Sequence, residues 1–161
     1  MLIIKTITDW KKFRKSIPPE NSMGFVPTMG ALHEGHLSLV DKSVQENDLT
    51  VASIFVNPSQ FNDPSDLEKY PRDFNSDAQL LESRGVESVF FPAEEEMYPN
   101  DYRYQITENE KSKIMEGAHR PGHFDGVLTV VMKLLNLVNP TRIYFGEKDY
   151  QQLMLIRDMV S

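Results

Sequence analysis

The sequence predicts an α/β fold in which a mostly parallel sheet carries helices on both faces. Two observations lead there. Short apolar runs alternate with helical patterns through most of the chain. The run Leu49–Val56 is almost continuously apolar and rich in branched residues, which suits a central parallel strand covered on both sides. A third observation adds a crevice to the fold. Polar loops follow three of the strands, and loops beyond the carboxyl ends of parallel strands meet in one place.

Taken in order, Leu2-Ile3-Ile4 reads as a short first strand. Thr8 or Asp9 caps a helix from Trp10 to about Ser16, which Ile17-Pro18-Pro19 ends. Gly24–Val26 is the second strand, and His36 to Val44 a helix with Leu37, Val40 and Val44 on one face. The strand Leu49–Val56 runs into a loop from Asn57 to Pro64 with two prolines and two asparagines. A helix from about Asp73 to Ser83 is anchored by Phe74, Leu80 and Leu81 and stopped by Gly85. Val89–Phe91 is a strand ended by Pro92. Glu94 to Pro99 reads as loop, its three glutamates a solvated acidic run rather than a metal site. Tyr102–Ile106 is expected as an edge strand and Lys111–Glu116 as a helical turn. Val127–Val138 is long enough to be a buried helix rather than a strand, ending before Pro140. Arg142–Phe145 is the last strand, Gly146–Asp149 a turn, and Tyr150–Met159 a helix.

Composition narrows the function classes. The 161 residues suffice for one domain with a proper core. A net charge of -7 argues against a nucleic-acid partner, whose binders carry basic patches, but leaves room for a local basic pocket. Zero cysteines remove disulfides, thiol catalysis and thiolate metal sites. No apolar window of about 18 residues is present, so no membrane span is expected. Met1-Leu2-Ile3-Ile4-Lys5 lacks the charged lead of a signal peptide, and a cytoplasmic location is the expectation.

The stretch Pro27-Thr28-Met29-Gly30-Ala31-Leu32-His33-Glu34-Gly35-His36 organises the rest. It lies between a strand and a helix. Free amides at a helix N-terminus and the helix dipole favour an anion such as phosphate. Glycine lets backbone approach a ligand closely. His33 and His36 flank Gly35, and each imidazole can donate to a phosphate oxygen. Gly30 and Gly35 also suit ordinary turns, and the histidines an ordinary surface. Zinc is disfavoured, because His-Glu-Gly-His lacks the spacing that puts two ligands on one helical face.

Two further loops carry chemistry. Gln60, just beyond the central strand, can donate to a carboxylate and accept from a hydroxyl, as a small hydroxy acid requires. In Gly146-Glu147-Lys148-Asp149-Tyr150-Gln151-Gln152, Gly146 can let an adenosine approach the backbone and Lys148 can serve phosphates. Asp149 can accept from ribose hydroxyls at a helix start. The open-sheet rule gathers His33, His36, Gln60, Lys148, Asp149 and Gln152 in one crevice.

The ten residues Pro27–His36 resemble the signature of the pantothenate synthetase family, the pantoate–beta-alanine ligases. Val56-Asn57-Pro58-Ser59-Gln60-Phe61, Arg120-Pro121-Gly122-His123-Phe124-Asp125-Gly126-Val127 and Phe145 to Leu153 are similar to further motifs of that family, in the same order. The His-x-Gly-His core is shared with the wider nucleotidylyltransferase and class I aminoacyl-tRNA synthetase group.

The resemblance implies a Rossmann-like fold and an ATP-dependent condensation of pantoate with beta-alanine through a pantoyl adenylate. ATP would be bound by Pro27, Thr28, Met29, Gly30, His33, His36, Gly146, Lys148 and Asp149, with His33, His36 and Lys148 serving the chemistry. Pantoate would be bound by Met29, Gln60 and Gln152, with Arg120 and His123 supporting phosphate or substrate. Tyr70-Pro71-Arg72 followed by Asp77 is a softer match. It implies Mg²⁺ carried by Asp77 through water. The family is commonly dimeric, so a homodimer is expected. Its members carry a second, C-terminal domain with no counterpart after Ser161. Residues 1–161 are therefore expected to be the N-terminal nucleotide- and pantoate-binding domain, with little turnover alone. Two alternatives stand beside this: another nucleotidylyltransferase, or a non-catalytic nucleotide-binding or dimerisation domain.

Overall fold

A computed structural model describes residues 1–99 and 102–161. Its strands are β1 (Leu2–Ile4), β2 (Met23–Thr28), β3 (Leu49–Ile54), β4 (Ser88–Phe90) and β5 (Arg142–Ile143). They form one sheet in the order β1-β4-β3-β2-β5, and every pairing is parallel. The helices are α1 (Ile7–Ser16), α2 (Glu34–Glu46), α3 (Pro64–Lys69), α4 (Phe74–Ser83), α5 (Glu94–Met97), α6 (Glu116–His119), α7 (His123–Val138) and α8 (Tyr150–Val160). The fold is thus the mostly parallel α/β arrangement read from the alternation of elements, and the Rossmann-like one that the resemblance implies.

The sheet is covered on both faces because successive strand residues point to opposite sides. Met23, Phe25, Val51 and Phe90 pack with Trp10 of α1, Leu128 and Leu134 of α7 and Ile156 of α8. Val26, Ala52, Ile54 and Val89 pack with Val40 of α2 and Leu81 of α4. An apolar run that feeds two cores shows no alternation in sequence, which is why Leu49–Ile54 reads as continuous.

The chain lays down β2, β3 and β4 outward in one direction, then returns to place β5 on the other side of β2. Strand order reverses between β2 and β5, where open sheets leave a ligand crevice. There the two strands part. β5 pairs only with Gly24 and Phe25, while β2 stays paired with β3 as far as Thr28. The Phe25 carbonyl accepts from Tyr144 N–H at 2.9 Å. Pro27, two residues on and facing the same side, has no N–H to leave unpaired.

Several elements depart from the sequence reading. Thr6, not Thr8 or Asp9, caps α1, accepting from the Asp9 amide. Helix α2 begins at Glu34 rather than His36, because His33 caps it. Val44 is half exposed, and Ser43 takes the sheet-facing place, its hydroxyl 2.7 Å from Thr50 Oγ1. Gly24 makes that fit possible, since a Cβ there would stand 2.0 Å from Ser43 Oγ. The segment Asn57 to Lys69 is not plain loop but holds a 3-10 turn, Pro58–Gln60, and α3. Glu94–Met97 is helical, and Met97 and Tyr98 belong to the core. Tyr102–Ile106 forms no strand, since the Ile106 amide donates to Thr129 Oγ1 at 2.8 Å instead of to a neighbouring backbone. Helix α7 starts at His123, four residues before its apolar run.

Candidate active site at the carboxyl ends of the strands

Two adjoining hollows, of about 160 and about 280 Å³, open at the switch point. Both are lined by Met29, Gln60, Tyr70, Asp149 and Gln152. The first is completed on the β2 side by Pro27, Thr28 and His36. The second is completed by Glu116, Arg120 and His123. Gln60 and Gln152, 92 positions apart in sequence, therefore face one crevice. His33, Gly146 and Lys148 line neither hollow. His33 and Lys148 are exposed, and the His33 ring centroid is 4.2 Å from that of His36.

The histidine loop is built from the backbone outward. Gly30 and Ala31 both take the left-handed conformation, with φ of 81° and 52°. Two successive residues of that kind turn the amides of Ala31 and Leu32 inward, and Asp77 receives them. Ala31 N–H donates to its Oδ2 at 2.9 Å and Leu32 N–H to its Oδ1 at 2.8 Å. A Cβ on Gly30 would approach Asp77 Oδ2 to 2.8 Å, so both conformation and space require glycine there. Thr28 finishes the loop: its hydroxyl donates to Ser53 O and accepts from Gly30 N–H. That hydroxyl is committed within the protein, which leaves Thr28 to offer only its surface to the crevice.

Asp77 thus has a structural task that the sequence reading did not assign to it. Both its oxygens hold the loop, and it lines a separate, more apolar hollow with Gly30. Among the described residues no group of three or more His, Asp or Glu side chains could hold a metal ion. A signal for this role existed in the sequence. Asp77 falls three after Phe74 and four before Leu81, on the inward stripe of α4.

His33 and His36 have unequal surroundings. His33 caps α2, its Nδ1 accepting from Gly35 N–H at 3.1 Å. A neutral His33 therefore carries its hydrogen on Nε2. A Cβ on Gly35 would meet the His33 ring at 2.9 Å, so this glycine lets the imidazole fold back over the helix end. His36 is half-buried, and its Nδ1 has no partner within the protein. Burial pushes His36 below the usual imidazole range, and His33 and Lys148 act in the same direction. Asp77 and Asp149 oppose them.

Gln60 is held from two sides. Asn57 Nδ2 donates to Gln60 Oε1 at 3.1 Å and to Gly126 O at 3.1 Å. Asn57 Oδ1 accepts from Ser59 Oγ and Tyr98 Oη, both at 2.8 Å. Burial pushes the Tyr98 hydroxyl up to about 12, so it stays a donor. His123 Nδ1 lies 2.8 Å from Gln60 O, and since a carbonyl only accepts, His123 carries hydrogen on that nitrogen. Gly126 allows the 3-10 turn to press against α7, where a Cβ would meet Ser59 O at 2.5 Å. Tyr98 and Gly126 escaped the sequence reading because their partners are distant in sequence, and Asn57 because its side chain turns back on its own 3-10 turn.

At the far edge Gly146 has an ordinary φ of -78° and open space where a Cβ would stand. Nothing in the chain itself demands glycine there. Lys148 and Asp149 lie in the 3-10 turn Glu147–Asp149, and Lys148 makes no salt bridge among the described residues. Arg120 pairs with Glu116 at 2.8 Å.

The histidines also give the fold a pH dependence. Burial lowers both His36 and His123 from the ordinary 6.5. The folded chain refuses protons that the unfolded chain accepts. This contribution is complete above the unfolded value and is lost as pH falls through it toward the folded values. The urea midpoint is expected to fall between about pH 7.5 and about pH 5.5, where few other side chains titrate. A midpoint that rises on acidification in that window would contradict the assignment.

Fold and site together define a Rossmann-like domain with a histidine-bearing loop at its switch point. The comparisons narrow this. The family described as pantoate-beta-alanine ligase matches residues 2–161, and the chain belongs to that family. It is 55% identical over 161 residues to a pantothenate synthetase of Legionella pneumophila (strain Lens), covering all of this chain and 64% of that protein. It is 54% identical over 159 residues to one from Bdellovibrio bacteriovorus, covering 99% and 62%. Among solved structures, the pantoate-beta-alanine ligase of Francisella tularensis, complexed with beta-gamma ATP and beta-alanine, superposes with a TM-score of 0.97 at 48% identity, covering 99% and 62%. Pantothenate synthetase from Thermus thermophilus gives 0.92 at 49%, covering 99% and 57%. The chain thus spans less than two thirds of the length of these proteins.

Proposed function

We propose that this chain forms the nucleotide- and pantoate-binding domain of a ligase that condenses pantoate with beta-alanine at the expense of ATP. The observation that carries this reading is the convergence of Gln60 and Gln152 on the crevice that His36 and Asp149 also line. With the amides of Gly30, Ala31, Leu32 and Gly35 taken up inside the protein, the His33 and His36 rings are what this loop offers phosphate, and the Gln60 amide held by Asn57, together with that of Gln152, suits a small hydroxy acid. A nucleotidylyltransferase for another substrate would have no use for Gln60 held in one orientation by Asn57.

In the first step a pantoate carboxylate oxygen attacks the α-phosphorus of ATP. A P–O bond forms, the bond to the β-phosphate bridge breaks, and pyrophosphate leaves. In the second step the amine of beta-alanine attacks the acyl carbon. The amide bond forms, AMP leaves with the bonding pair, and the amine proton passes to solvent. A carboxylate is already nucleophilic, so the protein's task is alignment and charge stabilisation. Gln60 and Gln152 orient the acid, and Met29 lines the same hollows with an apolar surface. His33, His36 and Lys148 stabilise charge on the phosphates, and Asp149 and the backbone at Gly146 receive the nucleoside. Arg120 and His123 support the acid end. ATP is proposed to arrive as its magnesium complex, the ion belonging to the substrate. A cytoplasmic homodimer is the proposed setting. Among the described residues no helix is long and apolar enough to cross a membrane.

Binding is the quantity to measure in Met1–Ser161, because the chain spans less than two thirds of the relatives' length. The proposed domain is expected to bind its ligands better than it turns them over. Gln60→Ala and Gln152→Ala are each expected to weaken pantoate binding by roughly 5–30-fold, the loss of about one or two kcal/mol of hydrogen bonding. ATP affinity is expected to stay near that of the unsubstituted chain. Titration calorimetry with each ligand separates the two, and equal losses for both would reject the assignment of the glutamines.

A further inference from the structure

The two adjacent glutamines of α8 have different partners. Gln152 lines the crevice, whereas Gln151 is bound to the backbone of the segment before α6. Gln151 Nε2 donates to Lys111 O at 2.9 Å and to Ile114 O at 2.8 Å, and its Oε1 accepts from Glu116 N–H at 3.1 Å. Between the last two contacts sits Met115, with φ 52° and ψ -123°, a conformation that side chains other than glycine rarely adopt. Met115 is 70% exposed, so its own packing does not impose that conformation. Such a residue persists only where its surroundings over-determine it. Lys111 adds a second tie to α8 through Asp158 at 2.5 Å.

The clamped corner leads straight into the site. Glu116 accepts from Arg120 through both its carbonyl, at 3.0 Å, and its carboxylate, at 2.8 Å. His123 N–H donates to Arg120 O at 3.1 Å, and the His123 ring reaches Gln60 O. Glu116, Arg120 and His123 line the same hollow as Gln152 and Gln60. We propose that Gln151 is a positioning residue: by holding the Ile114–Glu116 corner it sets the wall of Glu116, Arg120 and His123 against the crevice. The ligand half of this inference rests on the reading of the crevice as a pantoate site.

The test uses Gln151→Ala in Met1–Ser161, read by amide hydrogen exchange and by titration with pantoate and with ATP. Faster exchange is expected at Glu116, Arg120 and His123, with the amides of α8 still slow. Pantoate affinity is expected to fall roughly 5–30-fold while ATP affinity stays within about twofold. Adding Met115→Gly to Gln151→Ala should restore most of the loss, because glycine takes that conformation without help. Gln151→Met keeps the length of the side chain and loses the acceptor and both donors. It should give the same pattern, and it serves where the alanine variant does not fold. Unchanged exchange at Glu116–His123 would overturn the proposal, as would equal loss of both ligands with no rescue by Met115→Gly. Absence of pantoate binding by the unsubstituted chain would instead reject the pantoate reading, and exchange and its rescue would then decide the clamp.

Discussion

His36→Ala is expected to lower pantoate-dependent exchange of pyrophosphate into ATP by roughly 10²–10³, the usual result of deleting one well-placed donor to transition-state charge. The measurement belongs in a full-length polypeptide carrying this domain. His36 is half-buried and lines the crevice. Burial holds the ring neutral near pH 7, so it acts by a hydrogen bond rather than as a fixed cation. The fold does not depend on it. The packing of α2 rests on Leu37 and Val40, and alanine is a good helix former in its first turn. The variant should keep its melting temperature. Full exchange activity in a folded variant would remove His36 from the chemistry, and loss of the fold would make it a structural residue.

The largest effect on stability is expected from Asp77→Ala. Asp77 is 4% exposed and receives the amides of Ala31 and Leu32. Removing the carboxylate leaves two donors without partners, each at about 1–3 kcal/mol, so the unfolding free energy should drop by roughly 2–4 kcal/mol after some relaxation. The effect should also be local. Gly30 and Ala31 hold successive left-handed conformations against Asp77, and without it the histidine loop loses its template. Urea denaturation together with hydrogen exchange at Ala31 and Leu32 would show both parts. A change within about 0.5 kcal/mol would mean that water satisfies the two amides as well as the carboxylate does.

How much of this was open to a reader of the sequence depends on how local each determinant is. The parallel sheet and its order of elements follow from runs such as Leu49–Ile54 and the long apolar stretch after Gly126. The meeting of Gln60 with Gln152 follows from strand topology alone, because residues just beyond parallel strands share one edge of the sheet. The start of α2 was hidden because its cap is a histidine, which is not among the residues favoured for that role. Met97 and Tyr98 were hidden by the three glutamates before them. The inward place of Asp77 on α4 is legible, but its partners are not until Ala31 and Leu32, more than forty positions away, are brought to it. The support of Gln60 by Asn57, Tyr98 and His123 likewise exists only once α7 and the segment around Tyr98 are in place.

The parting of β2 from β5 has a consequence for what can enter the gap. A strand that outruns its neighbour ordinarily offers a row of donors and acceptors that recruits another length of backbone, from the same chain or a stranger. Here the residue facing the gap is Pro27, which offers no donor and cannot template a further strand. An extended peptide finds no ladder to join there. The opening stays available to small molecules that bind by shape and by their own polar groups, and at Pro27 the strand withholds the donor that another backbone would pair with.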